Sequence, residues 1–231
     1  CILMANYLYH QEVVLSFYKN FYSPQSCLDD KYIVNYFFSL NIIVDFYKNI
    51  LMKIVITGGP GTGKTSIINK LESLGHHVFH ESSREIIRKY KKLGHDQLFL
   101  SNPIKFSEIL LKNRIKQYEE SNKSNSYIKF FDRGIHDIIA YLNYKKISFG
   151  KEFESASKKY KYDFIFLAEP WEDIYKKDKE RYESFEDLKI INKYIKKTYS
   201  NYAQKFITLP KSSVQGRINF IIESIKWTIK R

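Results

Sequence analysis

The stretch from Met52 to Lys70, MKIVITGGPGTGKTSIINK, constrains the fold of this chain more than any other. It begins with an apolar, β-branched run that predicts a buried strand, and its apolar positions after the glycines recur at helical spacing. Between the two lies a match to G-x-x-x-x-G-K-[ST], the pattern of a loop whose backbone N–H groups surround phosphate. The strand–loop–helix order is the context that this pattern requires. The sequence therefore predicts that the chain binds a nucleoside triphosphate, either ATP or GTP.

The residues of this loop have separate predicted roles. Glycines let the backbone amides turn toward an anion, and the N-terminus of the following helix adds a partial positive charge. Lys64 is expected to reach the β- and γ-phosphates and to act in catalysis, and the Thr65 hydroxyl is expected to bind Mg²⁺. The predicted nucleotide-binding residues are Gly58, Gly59, Pro60, Gly61, Thr62, Gly63, Lys64, Thr65 and Ser66.

Composition indicates the domain size and the cellular compartment of the protein but does not identify its partner. The 231 residues suffice for one α/β domain with a buried core. Cys1 and Cys27, the two cysteines, give neither a disulfide framework nor a C-x-x-C metal pattern, which favours a cytoplasmic protein. The formal charge of +13 is compatible with nucleic acid, acidic lipid or a phosphorylated substrate as partner. Because the lysines are spread along the chain, this charge does not choose among them.

Residues 1–51 differ in composition from the rest of the chain. They contain no glycine and no arginine, whereas the rest holds all 9 glycines. Met52 directly precedes the first predicted strand. We expect one domain over residues 52–231, preceded by an extension that is poorly ordered or arises from translation upstream of Met52. Polar residues interrupt the apolar stretch 32–47 below the length of a membrane span, so no transmembrane segment is predicted.

Apolar runs and helical spacing alternate after the loop. Further strands are predicted near residues 76–80, 128–131, 162–167 and 206–209. One helix is expected after the phosphate loop and another from Ser82. The others cover about 95–126, with Asn102-Pro103 as a candidate start, and about 135–146, 150–160 and 214–229. A further helix is expected around the apolar positions Leu188, Ile191 and Ile195. This alternation predicts an α/β fold, a P-loop NTPase with a parallel five-stranded sheet and helices on both faces. Trp227, in the last helix, is expected in the core.

Two acidic residues end predicted strands. Glu81 follows the second strand, and the carboxyl ends of strands in an open α/β sheet border the ligand crevice, so we expect its carboxylate there. Ser82 and Glu85 match a capping box, which explains these two residues without a function. Asp132 ends the third strand, where a carboxylate that binds Mg²⁺ commonly accompanies a phosphate loop.

A charge-dense stretch lies between residues 171 and 199. We interpret Arg181 as part of a mobile lid that presents a cation to the transferring phosphates. For Lys177 and Lys179 the alternative, a solvated helix face with ion pairs, is equally compatible with the sequence.

Five blocks of sequence carry a resemblance to a known family: GGPGTGKTS at 58–66, ESSREII at 81–87, FDRGIHDIIAYL at 131–142, PW…DKERYES at 170–184 and LPKSSVQGRINFII at 209–222. Together they resemble the NadR-like AAA ATPase domains. That family includes the nicotinamide-riboside-kinase part of NadR and the translocation-defect nucleotide-binding proteins of animals. The resemblance extends from about Met52 to the C-terminus and does not include residues 1–51.

The resemblance implies a kinase-like P-loop fold, with the Asp132 strand beside the strand of the phosphate loop. It implies that Glu81 is the general base on an acceptor hydroxyl, and that Arg133 orients the acceptor and the base. Arg181 would be the arginine of the lid. The loop 210–214 would flank the purine base.

Two other classes of P-loop protein fit the sequence less well. A small GTPase would carry N-K-x-D, but Asn192-Lys193 is followed by Tyr194 and Ile195. An oligomeric AAA+ motor would usually show a paired Asp-Glu where Asp132 is followed by arginine. No recognised nucleic-acid-binding motif accompanies the positive charge.

The sequence thus predicts a Mg²⁺-dependent, ATP- or GTP-binding protein, a kinase-like phosphotransferase or ATPase that acts on a small hydroxylated acceptor. The alternative is a non-catalytic nucleotide-dependent switch that binds acidic lipid or a protein partner, because a strongly basic domain suits such a surface.

Overall fold

The computed structural model describes residues 51–94, 98–174, 183–202 and 205–229. The predicted extension before residue 51 and the predicted lid arginine Arg181 lie outside these ranges. The strands of the described residues are β1 (Met52–Thr57), β2 (His77–Phe79), β3 (Ile128–Asp132), β4 (Phe164–Leu167) and β5 (Phe206–Thr208). The helices are α1 (Lys64–Ser73), α2 (Ser83–Lys92), α3 (Leu98–Ser101), α4 (Pro103–Ser121), α5 (His136–Tyr144), α6 (Lys151–Lys159), α7 (Phe185–Ser200) and α8 (Val214–Ile229), with a short 3₁₀ helix at Glu172–Ile174.

The five strands form one parallel sheet in the order β2-β3-β1-β4-β5. β1 lies in the centre, where Ile56 is in register with Asp132 of β3, and Thr57 with Leu167 of β4. The predicted five-stranded parallel sheet is therefore confirmed. Since all strands run the same way, the residues that follow β1, β2 and β3 meet at one edge of the sheet.

Helices cover both faces of this sheet, as predicted. Successive side chains of a strand point to opposite faces, so Ile54 and Ile56 pack against α1 and α8, whereas Val55 packs against α5 and α7. The central strands accordingly carry runs of apolar residues on both faces, such as residues 54–56 in β1 and the whole of β4, as expected for strands buried on both sides.

A separate apolar cluster lies beside the sheet, among α2, α4, α5 and α6. Phe153 and Ile135 are completely buried in it, and Ile86 and Leu110 join α2 to α4. This cluster fixes the positions of the helices that border the carboxyl ends of β2 and β3.

The helix predicted over 95–126 has a different extent in the structure, although the pair Asn102-Pro103 does start a helix as the sequence indicates. The helix expected over 95–126 is interrupted in the structure: α3 ends at Ser101, and α4 begins at Pro103. Asn102 caps the new helix, because its side chain accepts a hydrogen bond from Lys105 N at 3.1 Å. Pro103 suits the first helical position, where a backbone N–H would have no partner within the helix.

The capping box predicted for Ser82 and Glu85 is wrong. Ser82 precedes α2, but its side chain makes no cap hydrogen bond, and its buried Oγ has no hydrogen-bond partner in the described part of the chain. A capping box is found instead at α7, where Ser184 Oγ accepts from Asp187 N and the Asp187 carboxylate accepts from Ser184 N.

The core position predicted for Trp227 is also wrong, because its side chain is 60% exposed. It lies near the C-terminal end of α8. Within the described ranges, no helix combines the length and apolar composition required to cross a bilayer.

Candidate active site

The phosphate loop joins β1 to α1 and is shaped by close backbone contacts. Gly58 has φ of 142°, and a Cβ there would overlap the carbonyl oxygen of Ala168, which follows β4. Gly63 has φ of 81°, in the left-handed region that favours glycine. Thr62 Oγ1 donates to the Gly59 carbonyl at 2.9 Å and closes the turn. The motif is therefore held as a compact loop at the N-terminus of a helix, the geometry that binds anions.

Lys64 lies inside this loop. Its Nζ donates to the Gly59 carbonyl at 2.7 Å and lies 3.4 Å from Thr62 Oγ1. Burial, assisted by the positive charge of Arg133, lowers the pKa of Lys64 to about 7, although Asp132 and Glu81 oppose this shift. An ammonium group held this way gains from any anion that enters the loop.

The two predicted metal ligands lie on adjoining elements. Thr65 is exposed in the first turn of α1, as is Ser66. Asp132 is only 5% exposed at the end of β3, and its Oδ1 has no hydrogen-bond partner among the residues that the structure describes. Burial raises the pKa of Asp132, and the positive charge of Lys64 opposes the rise. A buried carboxylate oxygen without a donor is suited to a cation.

Arg133 connects the phosphate loop to the opposite side of the site. Its backbone has φ of 70°, which is unusual for a residue other than glycine. Its NH1 donates to the Gly58 carbonyl at 2.9 Å, and its Nε forms an ion pair with Glu81 Oε1 at 2.8 Å. The guanidinium also lies over the ring of Tyr141, 5.6 Å from its centroid. These contacts maintain a backbone conformation that would otherwise be costly.

Glu81 lies between two arginines. Besides the pair with Arg133, Arg114 NH2 is 3.7 Å from the same carboxylate oxygen, and Arg114 NH1 donates to the Gly134 carbonyl at 2.6 Å. Burial alone would raise the pKa of Glu81, but the charges of Arg133 and Arg114 outweigh it and lower the pKa to about 2. The Glu81 carboxylate is therefore ionised at any physiological pH.

Asp137, on α5, completes what we call the ion cluster: Glu81, Arg114, Arg133 and Asp137. It is buried and lies 3.5 Å from Arg133 NH1. It accepts hydrogen bonds from Tyr199 OH at 2.6 Å, from Gly134 N at 2.8 Å and from the hydroxyl of Thr57, the last residue of β1. Because each oxygen has donors, this buried charge is well satisfied.

The structure thus brings Glu81, Asp132, Arg133 and the loop residues 58–66 to one edge of the sheet. Arg181 cannot be placed, since it lies outside the described residues. No motif in the sequence indicates a role for Arg114 or Asp137. Arg114 lies in the buried stripe of α4 with Ser107, Leu110 and Leu111. An arginine at an apolar helix position is therefore the one feature of the sequence that could have indicated its buried role.

Comparisons with known proteins bear on the family and the fold of the chain. Residues 53–217 match the family model of an AAA domain. No curated protein matches the sequence.

Two similar solved structures are kinases. The structure of deoxyadenosine kinase from M. mycoides with bound dATP is 17% identical with a TM-score of 0.51, over 76% of this chain and 99% of that chain. Thymidylate kinase from Ehrlichia chaffeensis is 17% identical with a TM-score of 0.54, over 75% of this chain and 98% of that chain. At this identity the likeness establishes the fold alone, which is a kinase-like P-loop fold. By its match over most of its length, the chain belongs to the AAA domain family.

Proposed function

We propose that this chain transfers the terminal phosphoryl group of a nucleoside triphosphate to a hydroxyl group of a small acceptor. The observation that carries the proposal is that Arg133 connects a carboxylate, that of Glu81, to the phosphate loop. Glu81 pairs with Arg133 at 2.8 Å, and Arg133 donates to the Gly58 carbonyl at 2.9 Å. Binding of nucleotide alone does not require a carboxylate in this position, whereas a general base must lie next to the transferring phosphate.

Glu81 accepts the proton of the acceptor hydroxyl in this mechanism. Because Arg133 and Arg114 keep its pKa low, Glu81 is ionised and can accept this proton. Lys64 and Arg133 neutralise the charge that spreads over the phosphate oxygens. Arg181 is proposed to supply a further cation from a lid, and the loop 210–214 to flank the base.

The donor set suits Mg²⁺, which, when bound, offsets the charge of the phosphates. Asp132 provides a buried carboxylate oxygen and Thr65 an exposed hydroxyl. Mg²⁺ is commonly held by one or two protein oxygens, with phosphate and water completing its shell. The described residues contain no group of three or more His, Cys, Asp or Glu that could bind a metal by itself, which agrees with a metal that arrives with the nucleotide.

The test is a screen for consumption of ATP and GTP in the presence of nucleosides and ribosides, with Lys64→Ala as the blank. In the presence of the acceptor so found, Glu81→Gln should lower phosphoryl transfer by about 1,000-fold or more, while nucleotide affinity stays within about threefold. Glu85→Gln is the matched control, since Glu85 is exposed one turn further along on α2.

Two outcomes would contradict the proposal. If transfer survives in Glu81→Gln, this carboxylate is not the base. If no hydroxylated acceptor stimulates consumption and nucleotide-dependent sedimentation with anionic vesicles is observed instead, the chain is a switch rather than a phosphotransferase.

A further inference from the structure

Arg217, in the first turn of α8, packs directly against the phosphate loop. Its NH1 donates to the Thr62 carbonyl at 3.0 Å. A Cβ on Gly63 would lie 2.9 Å from Arg217 NH2, so the guanidinium lies against the position where only glycine leaves space. The side chain is 5% exposed and also lines a small cleft with Trp171 and Pro210. The last helix of the chain therefore reaches the first loop of the domain.

The charge of Arg217 lacks the compensation that the other buried arginines of the site have. Arg114 and Arg133 both pair with Glu81. For Arg217, burial lowers the pKa below its ordinary value, and no acidic group of the described residues opposes this shift. Its buried Nε has no hydrogen-bond partner within the same ranges. Glu169, which lines the same cleft, is bonded to Lys196 instead.

A buried cation without a counter-charge in the described structure lowers the free energy of unfolding, and an apolar side chain of the same length would lower it less. The group that would offset this cost is an anion inside the adjoining loop. The Thr62–Gly63 turn in contact with Arg217 belongs to the segment whose amides surround phosphate. The buried charge of Arg217 thus lowers the stability of the unliganded chain, and the same charge favours binding of an anion in the loop.

We propose that Arg217 is a positioning residue of the nucleotide site, which holds the Thr62–Gly63 turn and whose charge is balanced by the bound triphosphate. This inference rests on the nucleotide-binding part of the proposed function and does not depend on phosphoryl transfer.

The test compares Arg217→Met and Arg217→Lys with Lys226→Met, an exposed position on the same helix. Thermal unfolding is measured without ligand, and affinity is measured for ATP and for inorganic tripolyphosphate, each with Mg²⁺. Arg217→Met should be as stable as the wild type or more so without ligand. It should lose at least tenfold in affinity for both ligands, by similar factors. Arg217→Lys, which keeps the charge but not the planar fork, should lie between the two, and Lys226→Met should match the wild type.

Opposite changes in stability and affinity would not arise from a purely structural role. The proposal is overturned if Arg217→Met lowers the stability of the free protein and keeps tripolyphosphate affinity within twofold. It is also overturned if only the affinity for ATP falls, because Arg217 would then act on the base. Should Arg217→Met fail to fold, Arg217→Lys decides: a loss of threefold or more for tripolyphosphate supports the proposal, and a smaller change overturns it. Since no acceptor is present, the absence of phosphoryl transfer would leave this test intact.

Discussion

The phosphate loop and the ion cluster lie at the same edge of the sheet but are built in different ways. The loop is a run of consecutive residues, 58–66, and its shape depends on backbone groups: left-handed glycines, a carbonyl that accepts from Lys64 and a helix N-terminus. The ion cluster consists of four charged side chains from different elements, Glu81, Arg114, Arg133 and Asp137, each satisfied by the others or by neighbouring backbone. The loop is built mainly from neighbours along the chain, with Arg133 and Arg217 bonded to it from distant segments, whereas the ion cluster exists only in the folded domain.

This difference indicates how each region should respond to substitution. A loop held by its backbone keeps its form when an interior side chain is removed, although its ligand is lost. A buried charge cluster loses stability when one member is removed, because the remaining charges are left unpaired.

The largest effect is expected from Lys64→Ala, which tests the loop. Removing the ammonium group that is proposed to contact the phosphates should lower affinity for the nucleoside triphosphate by about 100- to 1,000-fold, as for other buried charge-assisted contacts. The free energy of unfolding should change by less than about 1 kcal/mol, since Lys64 bonds only to loop groups in the described structure. Titration with a fluorescent nucleotide and urea unfolding measure the two quantities. Lys70→Ala, exposed on the same helix, is the control. A large loss of stability would remove the contrast between the two regions.

Asp137→Asn tests the ion cluster and should have the next largest effect. The substitution keeps the shape but deprives Arg133 of a charge and places an amide opposite the Tyr199 or Thr57 hydroxyl. We expect a loss of about 3 kcal/mol in the free energy of unfolding, measured in urea. Asp173→Asn, at an exposed position, should cost less than about 0.5 kcal/mol. Equal effects of the two variants would show that the cluster does not stabilise the domain.

The neighbouring residue, His136, is buried without charge and gives a third test. Burial lowers its pKa to about 4, although the Ser157 carbonyl, which is 3.0 Å from Nε2, and Asp137 oppose the shift. The unfolded chain therefore takes up a proton more readily than the folded one. The contribution of neutral His136 to the free energy of unfolding is complete above about pH 6.5 and is lost as the pH falls toward 4. The loss at pH 5 is about 2 kcal/mol. Urea unfolding at pH 7 and pH 5 should show this loss, and His136→Gln should show a smaller one. An unchanged pH dependence in the variant would assign the loss to other groups.

The smallest effect is expected from Ser82→Ala. Because the Ser82 Oγ is buried without a partner in the described chain, its removal should change the free energy of unfolding by less than about 0.5 kcal/mol. Ser184→Ala removes an observed capping box and should cost about 1 kcal/mol. Thermal unfolding distinguishes the two, and a larger loss at Ser82 would mean that its hydroxyl is bonded in solution.

The sequence predicted those features that depend on neighbours along the chain. The loop, the five strands and the positions of Glu81 and Asp132 at strand ends follow from local apolar runs and from parallel strand direction. The Asn102 restart of α4 was also visible, as an Asn-Pro pair. In each case the deciding interactions lie within a few residues.

Features decided by contacts between distant segments were missed or wrong. Ser82 is buried at the start of α2 without a cap hydrogen bond, and Trp227 is exposed although it belongs to an apolar helical pattern. Arg114 and Arg217 each occupy an apolar stripe, and their partners are far away in sequence. No local pattern distinguishes a charged side chain that finds such a partner from one that remains in solvent.

The hydrogen bond from Arg133 to the Gly58 carbonyl joins residues that are 75 positions apart, and that from Arg217 to Thr62 joins residues that are 155 apart. During synthesis the phosphate loop is therefore complete long before the arginines that hold it have been made. A growing chain that ends before β3 has the motif but neither contact, and one that ends before α8 lacks the second. If these arginines act as proposed, nucleotide would bind and stabilise the complete domain in preference to chains that end before β3 or α8.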